Sequence, residues 1–350
     1  MSNWNLSPLI QLTPKGLYCA AGDFYIDPSR AVETAIVTHA HSDHARRGSR
    51  KYLCHEASVG LLKARLGHSI QVEGIPYRHK IRLGEVDVSL HSAGHILGSA
   101  QVRVEFRGQV WVASGDYKRE PDPSCDPFEP VICDTFITEA TFGTPKYVWE
   151  NSQNHGQQIH HWWKTNAAQG FNSLLYGYSL GKAQRILAEL APHAHRPIYI
   201  HDTIAEPTRC YREQGVKLAP TQLMSAQEGE LFTEAKPLSG ELFLAPPSIL
   251  KTDWVKRLGK FKTAFASGWM QGSSFVHQDS YDYGFIMSDH ADWRALNQTI
   301  KETHATRVFV QHRNGALVRH LRKQGIEAYP EELLQTESYC RIEPVNLSLL

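Results

Sequence analysis

Between Thr38 and His44 the chain reads Thr-His-Ala-His-Ser-Asp-His, setting His39, His41, Asp43 and His44 just after the apolar run Ala35-Ile36-Val37. Imidazole nitrogens and carboxylate oxygens are donors that divalent cations take from proteins. Alternate residues of an extended or tightly turned segment share a side. His39 and His41 would then face one ion while Asp43 and His44 turn toward a second. The competing reading is a polar turn closing a buried strand. Donors of the same kind follow other apolar runs: His95 after Ser92-Ala93-Gly94, Asp116 after Ser114-Gly115, and His312 after Val308-Phe309-Val310-Gln311. Each alone reads as a satisfied histidine or a turn carboxylate. Several strand ends offering such donors favour a metal centre.

Elements must carry these donors together. Residues 16–27 and 35–41 read as strands, 86–95 alternates apolar with polar, and 101–116 reads as a hairpin turning at Arg107-Gly108. Residues 135–143 read as a strand running into a loop, and 58–67 as a helix stopped by Gly67. From about residue 145 helices and strands alternate. Helices are expected over 151–170 (capped by Ser152 or Asn154), 182–190, 206–215 and 252–261, and strands over 173–179, 197–200, 241–245 and 263–267. That alternation predicts βαβ units on a parallel sheet. A strand at 284–288, a helix from Asp292, a strand at 307–312 and a helix at 315–325 follow. The change of pattern points to an α/β domain at 145–285 inserted into a fold built from 1–144 and 286–350.

Lys and Arg number 37 against 36 Asp and Glu, a net charge of +1, so no global basic field draws nucleic acid and any polyanion must be held by a local patch. No run approaches the roughly 20 apolar residues of a membrane helix. The opening residues lack a secretory signal pattern, and the six scattered cysteines include no Cys-x-x-Cys. A cytoplasmic protein is the expectation, with no membrane partner.

The segments Thr38–His44, Ala93–Ala100 and Ser114–Arg119 resemble successive metal-binding motifs of the metallo-β-lactamase superfamily. Asp27, in Phe-Tyr-Ile-Asp-Pro, is similar to its first motif, an aspartate that supports the metal loop. Residues 138–143 resemble motif A of the β-CASP nucleases with Glu139, residues 287–293 motif B with His290, and residues 308–315 motif C with His312. Residues 178–187 and 265–272 resemble parts of the inserted β-CASP domain. The likeness runs over nearly the whole chain, and within the superfamily points to the bacterial ligase-associated DNA exonucleases. Two places depart from the pattern: 271–283 holds no Lys or Arg, and Arg313 follows His312.

The resemblance implies a metallo-β-lactamase αββα sandwich with an inserted β-CASP α/β domain, its parallel sheet flanked by helices. It implies that His39, His41 and His95 hold one divalent ion, that Asp43, His44 and His312 hold another, and that Asp116 bridges them. Zn2+ is the default ion for a histidine-rich site and Mn2+ the alternative. The implied chemistry is phosphodiester hydrolysis by a two-metal-activated hydroxide, with Asp43 or Asp116 orienting the water and His290 as general acid beside Glu139. Lys118, Ser179 and Lys182 are candidates for substrate phosphates. Against these roles stand plainer ones: a strand-end carboxylate for Glu139, a helix-entry residue for His290, a solvated loop lysine for Lys118, and a strand-to-helix turn for Ser179 and Lys182. The expected function is a 5′-to-3′ DNA exonuclease in DNA repair, associated with an ATP-dependent DNA ligase and other repair enzymes. The alternatives are a β-CASP ribonuclease acting on RNA and a non-catalytic nucleic-acid-binding subunit.

Overall fold

The computed structural model describes residues 8–150, 154–224, 238–249, 252–271, 281–311 and 315–335. By contacts the chain divides into two units. The first comprises Met1–Pro121, Asp126–Val148 and His290–Leu350, and the second Asp122–Cys125 and Trp149–Asp289.

Six strands form the first sheet of the first unit, in chain order: β1 (Gln11–Thr13), β2 (Gly16–Cys19), β3 (Phe24–Ile26), β4 (Thr34–Ile36), β5 (Lys51–His55) and β6 (Val72–Ile75). The first three are antiparallel neighbours and the rest pair in parallel, with helix α1 (Val59–Leu66) linking β5 to β6. Residues 16–27, read as one strand, are a hairpin. Asp23 turns the chain with φ +51°, a conformation that aspartate tolerates better than most residues.

The second sheet starts with β7 (Ile81–Leu83), β8 (Val86–Ser92), β9 (Ala100–Phe106), β10 (Gln109–Ala113) and β11 (Thr135–Thr138). Arg107 and Gly108 make the expected hairpin turn, with φ +48° and +80°. Alternation decides what each face covers. Val86, Val88 and Leu90 of β8 and Val102 and Val104 of β9 join Leu17, Phe24, Ile36 and Leu53 of the first sheet in one apolar core. Full burial of each such side chain contributes about 1.5–3 kcal/mol.

The second unit holds β12 (Asn172–Tyr176), β13 (Ile198–Ile200), β14 (Thr221–Leu223), β15 (Leu242–Ala245), β16 (Phe261–Ala266) and β17 (Tyr283–Phe285). They form one wholly parallel sheet in the order β14-β13-β15-β12-β16-β17. Its helices are α2 (His155–Ala168), α3 (Lys182–Leu190), α4 (Asp202–Glu213) and the short α5 (Asp253–Lys256). Leu175 of β12 faces one core while Leu174 and Tyr176 face another. Burial on both faces is why this strand reads as a continuous apolar run. Asn154 caps α2 by accepting from the Gln157 amide at 3.0 Å. Helix α4 begins four residues before the expected start. His201 accepts from the Thr203 amide at 3.2 Å, and Pro207 is carried inside the helix.

The chain then returns to the first unit through α6 (Trp293–Glu302), β18 (Arg307–Val310), α7 (Gly315–Lys323) and β19 (Glu327–Pro330). The completed second sheet runs β19-β18-β11-β10-β9-β8-β7. Leu296 and Ile300 of α6 and Leu317 and Leu321 of α7 cover its far face against Val112, Phe136 and Val308. The fold is mixed α/β, with helices packed on sheets that pair largely in parallel. Among the described residues no helix is long and apolar enough to cross a membrane.

Candidate metal centre

Strands β8 and β10 both run antiparallel to β9, and β11 runs parallel to β10. The carboxyl ends of β8, β10 and β11 therefore share one edge of the sheet, where His95, Asp116 and Glu139 follow. The loop after β4 brings His39, His41, Asp43 and His44 to the same place. Two glycines permit the approach. Gly94 has φ +69°, and a side chain there would meet the Lys118 carbonyl at 2.4 Å. Gly115 has φ +56°, and a Cβ would lie 2.7 Å from that of Thr38. Left-handed backbone and this crowding both demand glycine.

The donors converge. His41 Nδ1 lies 3.1 Å from His39 Nε2 and 3.1 Å from His95 Nε2. Asp116 Oδ2 lies 3.4 Å from His39 Nε2, 3.7 Å from His95 Nε2 and 3.4 Å from His44 Nε2. Ligand atoms about 2.0–2.1 Å from a tetrahedral ion are about 3.4 Å from one another, so His39, His41, His95 and Asp116 fit one small divalent cation. Asp43 Oδ2 at 3.7 Å and Asp116 Oδ2 at 3.4 Å each lie near His44 Nε2, but the three do not close into one donor group; the second set the structure brings together is Asp116, Glu139 and His290. His312 and Arg313 lie outside the described residues.

Electrostatics divides the histidines. Burial pushes His39 and His95 below the ordinary imidazole value, His95 well below it with the help of its histidine neighbours. Both are neutral at pH 7, the state a ligand needs. Burial acts the same way on His44, but Asp116 and Asp27 overcome it and raise this group well above its ordinary value. Burial likewise opposes ionisation of Asp116, yet His44 and His290 hold it well below the usual carboxylate range.

Asp27 supports the loop. Its Oδ1 accepts from the Thr38 amide at 2.8 Å, and its Oδ2 accepts from the Thr38 hydroxyl at 2.6 Å and lies 2.7 Å from His44 Nδ1. Its own φ is +46°. Thr38, which the sequence reading passed over, lies 3.1 Å from His39 Nδ1 through the same hydroxyl. Its place beside the first histidine was the available signal.

Glu139 is buried and its carboxylate oxygens accept from the amides of Tyr117 at 2.8 Å and Thr141 at 3.3 Å. Both oxygens lie 3.1 Å from His290 Nδ1. A carboxylate only accepts, so Nδ1 carries the hydrogen and Nε2 is the other working atom. The Tyr117 backbone also ties the next residue, its carbonyl accepting from Ala291 at 2.7 Å. The ring of His290 sits 4.8 Å from that of His95, beside the cluster.

The phosphate candidates fare differently. Lys118 is buried. Ser179 Oγ lies 2.9 Å from Thr203 Oγ1. Lys182 is buried too: its Nζ is 2.8 Å from Asp289 Oδ1 and donates to the Met287 carbonyl. Arg185 lies 3.4 Å from the same Asp289 oxygen and 3.6 Å from Asp122 Oδ2. This clamp explains why Asp122–Cys125 group with the second unit, and it occupies Lys182 inside the protein. Arg185 and Asp289 were missed because a buried pair leaves no local sequence mark.

No family model matches the chain. It is 29% identical to a protein of Opitutus terrae named "Probable DNA ligase", over 90% of this chain and 30% of that protein. It is 28% identical to "Ribonuclease TTHA0252" of Thermus thermophilus, over 52% of this chain and 49% of the ribonuclease. A match of 32% to "Endoribonuclease YSH1" of Kluyveromyces lactis spans 33% of this chain and 15% of that protein. The chain thus spans under a third of the first relative and about half of the second. A crystal structure of a protein of unknown function from Enterococcus faecalis superposes with a TM-score of 0.52 at 12% identity, over 79% of this chain and 74% of that one, a likeness of fold. With the motifs, the donor cluster and these relatives on one chain, it is a relative of the metallo-β-lactamase-fold β-CASP nucleases.

Proposed function

We propose that the chain is a metal-dependent DNA exonuclease that removes nucleotides from 5′ ends, on an αββα metallo-β-lactamase sandwich with a β-CASP insert. The observation that carries the reading is the Glu139–His290 pair set beside a cluster of metal donors. His39, His41, His95 and Asp116 would hold one ion, and Asp43, His44 and Asp116 would contribute to a second. Bound divalent ions, Zn2+ or Mn2+, would supply a water of lowered pKa and neutralise phosphate charge. Asp43, with an exposed carboxylate, would accept the proton of the attacking water. The Glu139 carboxylate favours the protonated ring of His290, whose Nε2–H would pass a proton to the departing oxygen. Asp27 would hold the loop and bind no metal.

DNA is favoured because nine-tenths of the chain aligns with part of a protein named as a DNA ligase, whereas the matched ribonuclease aligns with half. A nuclease that trims ends and an ATP-dependent ligase that joins them act on the same DNA, so a repair partnership in the cytoplasm follows. The names of the other relatives favour a second reading, a ribonuclease. Matched DNA and RNA strands, labelled at either end and incubated with Zn2+ or Mn2+, separate the two. Stepwise release from the 5′ end of DNA is expected. Preferential cutting of RNA would establish the second reading instead.

A further inference from the structure

The loop that carries Asp43 and His44 continues into Arg46 and Arg47, both exposed. Arg47 donates to the backbone carbonyl of Arg65 at 3.1 Å, closing the last turn of α1. Tyr52 fixes the loop from the other side, donating its hydroxyl to the Arg46 carbonyl at 2.7 Å and accepting from the Ser49 amide at 2.9 Å. Arg46 and Arg47 thus stand beside the end of α1, where Arg65 lies in the last turn. Burial presses Arg65 below its ordinary value; Asp43 opposes this, and the like charges of Arg46 and Arg47 add to it. Among the described residues no carboxylate lies within ion-pair distance of any of the three. Elsewhere on the same unit exposed arginines do pair, Arg50 with Glu33 at 2.6 Å and Arg82 with Asp87 at 3.0 Å. The helix end receives Arg47 as well as Arg65, and Asp43 is the one carboxylate acting on Arg65, so three like charges stand against a single carboxylate outside ion-pair distance.

We propose that Arg46, Arg47 and Arg65 bind backbone phosphates of a nucleic-acid strand beside the donor cluster. Arginine suits phosphate because its planar fork gives paired hydrogen bonds. Three guanidiniums spread over a loop and a helix end match a chain of single charges better than one compact anion. With a net charge of +1, attraction of a polyanion must come from such a local patch. The patch supplies positive charge beside Asp43, whereas the sequence 271–283 holds no Lys or Arg.

This inference rests on the nuclease reading, and binding separates the two. The full chain, loaded with metal, is titrated into a fluorescent phosphorothioate single strand that resists cleavage, at several salt concentrations. Three phosphate contacts on a single strand contribute a salt slope of about −2, worth roughly 50-fold in affinity at 0.15 M salt. The triple variant R46A/R47A/R65A is expected to lose that slope and most of that affinity, with an unchanged thermal melt. Because R65A also removes helix packing, R46A/R47A is measured alone and should lose about two thirds of the slope. Arg→Lys at 46 and 47 should restore most of it. Unchanged affinity and slope in R46A/R47A would overturn the patch, as would a wild-type chain that binds no strand. A wild-type chain that binds through these arginines yet cleaves neither DNA nor RNA would uphold the patch and remove the nuclease reading.

Discussion

Both carboxylate oxygens of Glu139 lie 3.1 Å from Nδ1 of His290, and backbone amides hold that carboxylate from behind. The pair fixes the ring and leaves Nε2 for the reacting side. His290→Ala should lower kcat by about 10²–10⁴-fold with metal content unchanged. Glu139→Gln should act in the same direction and less strongly, since a neutral amide favours the protonated ring less. A nitrophenyl phosphodiester, whose leaving group needs no proton, tells acid catalysis from general damage. His290→Ala should lose much less on that substrate, and equal losses on both substrates would remove the acid role.

His44 links metal binding to pH. In the metal-free chain its group is raised well above 6.5 by Asp116 and Asp27 against the effect of burial, so it is protonated at pH 7. His39 and His95 are lowered and carry no proton to lose. The stabilisation from protonated His44 is fully present below pH 6.5 and fades as pH rises through the folded value. A metal ion taken by His44 must expel this proton. Calorimetric titration with Zn2+ in buffers of differing ionisation enthalpy should show about one proton released at pH 7, falling as pH rises. His44→Ala should abolish that release, and full release from the variant would place the proton elsewhere.

Gly115 holds the Asp116 loop against Thr38. Alanine there adds a Cβ at 2.7 Å from the Thr38 Cβ and forces an alanine to φ +56°. Backbone strain alone costs on the order of 1–3 kcal/mol, and the clash pushes apart the two loops that carry ligands. Gly115→Ala should lower both the melting temperature and Zn2+ affinity. Gly108→Ala is the comparison: it has φ +80° but nothing within 4 Å of its added Cβ, so it should lower stability and leave metal affinity intact.

How much of this was legible depends on whether the information is local. His39, His41, Asp43 and His44 stand within one turn of chain, and His95 and Asp116 follow strands that alternation and flanking glycines reveal. The βαβ alternation likewise exposed β12, β13, β15 and β16 as buried runs. Short strands such as β6, with two exposed residues, and β14 leave almost no period to read. Helix α5 stops after four residues, so the ten-residue expectation at 252–261 was too long. Glu139 and His290 are 151 positions apart, and their contact entered only through resemblance. Lys182 illustrates the limit most clearly. A lysine opening a helix after Gly181 reads as a phosphate contact, and only the tertiary fold reveals the carboxylate of Asp289 waiting for it.

That last pair yields its own prediction. Lys182 and Arg185 project from the first turns of α3 to Asp289 and to the carbonyls of Met287 and Ser288. Removing one partner of a buried pair leaves uncompensated charge and costs about 3–5 kcal/mol. Arg185 still faces Asp289 after Lys182→Met, so the lower end, about 3 kcal/mol, is expected. The double variant Lys182→Met/Asp289→Asn removes both charges and should recover part of the loss. Denaturant unfolding of the two variants gives both values. A phosphate-binding lysine would behave in the opposite way, leaving stability intact and weakening binding in a salt-dependent manner. If Lys182→Met melts like the wild type but binds a nucleic-acid strand with a reduced salt slope, the phosphate role returns to Lys182.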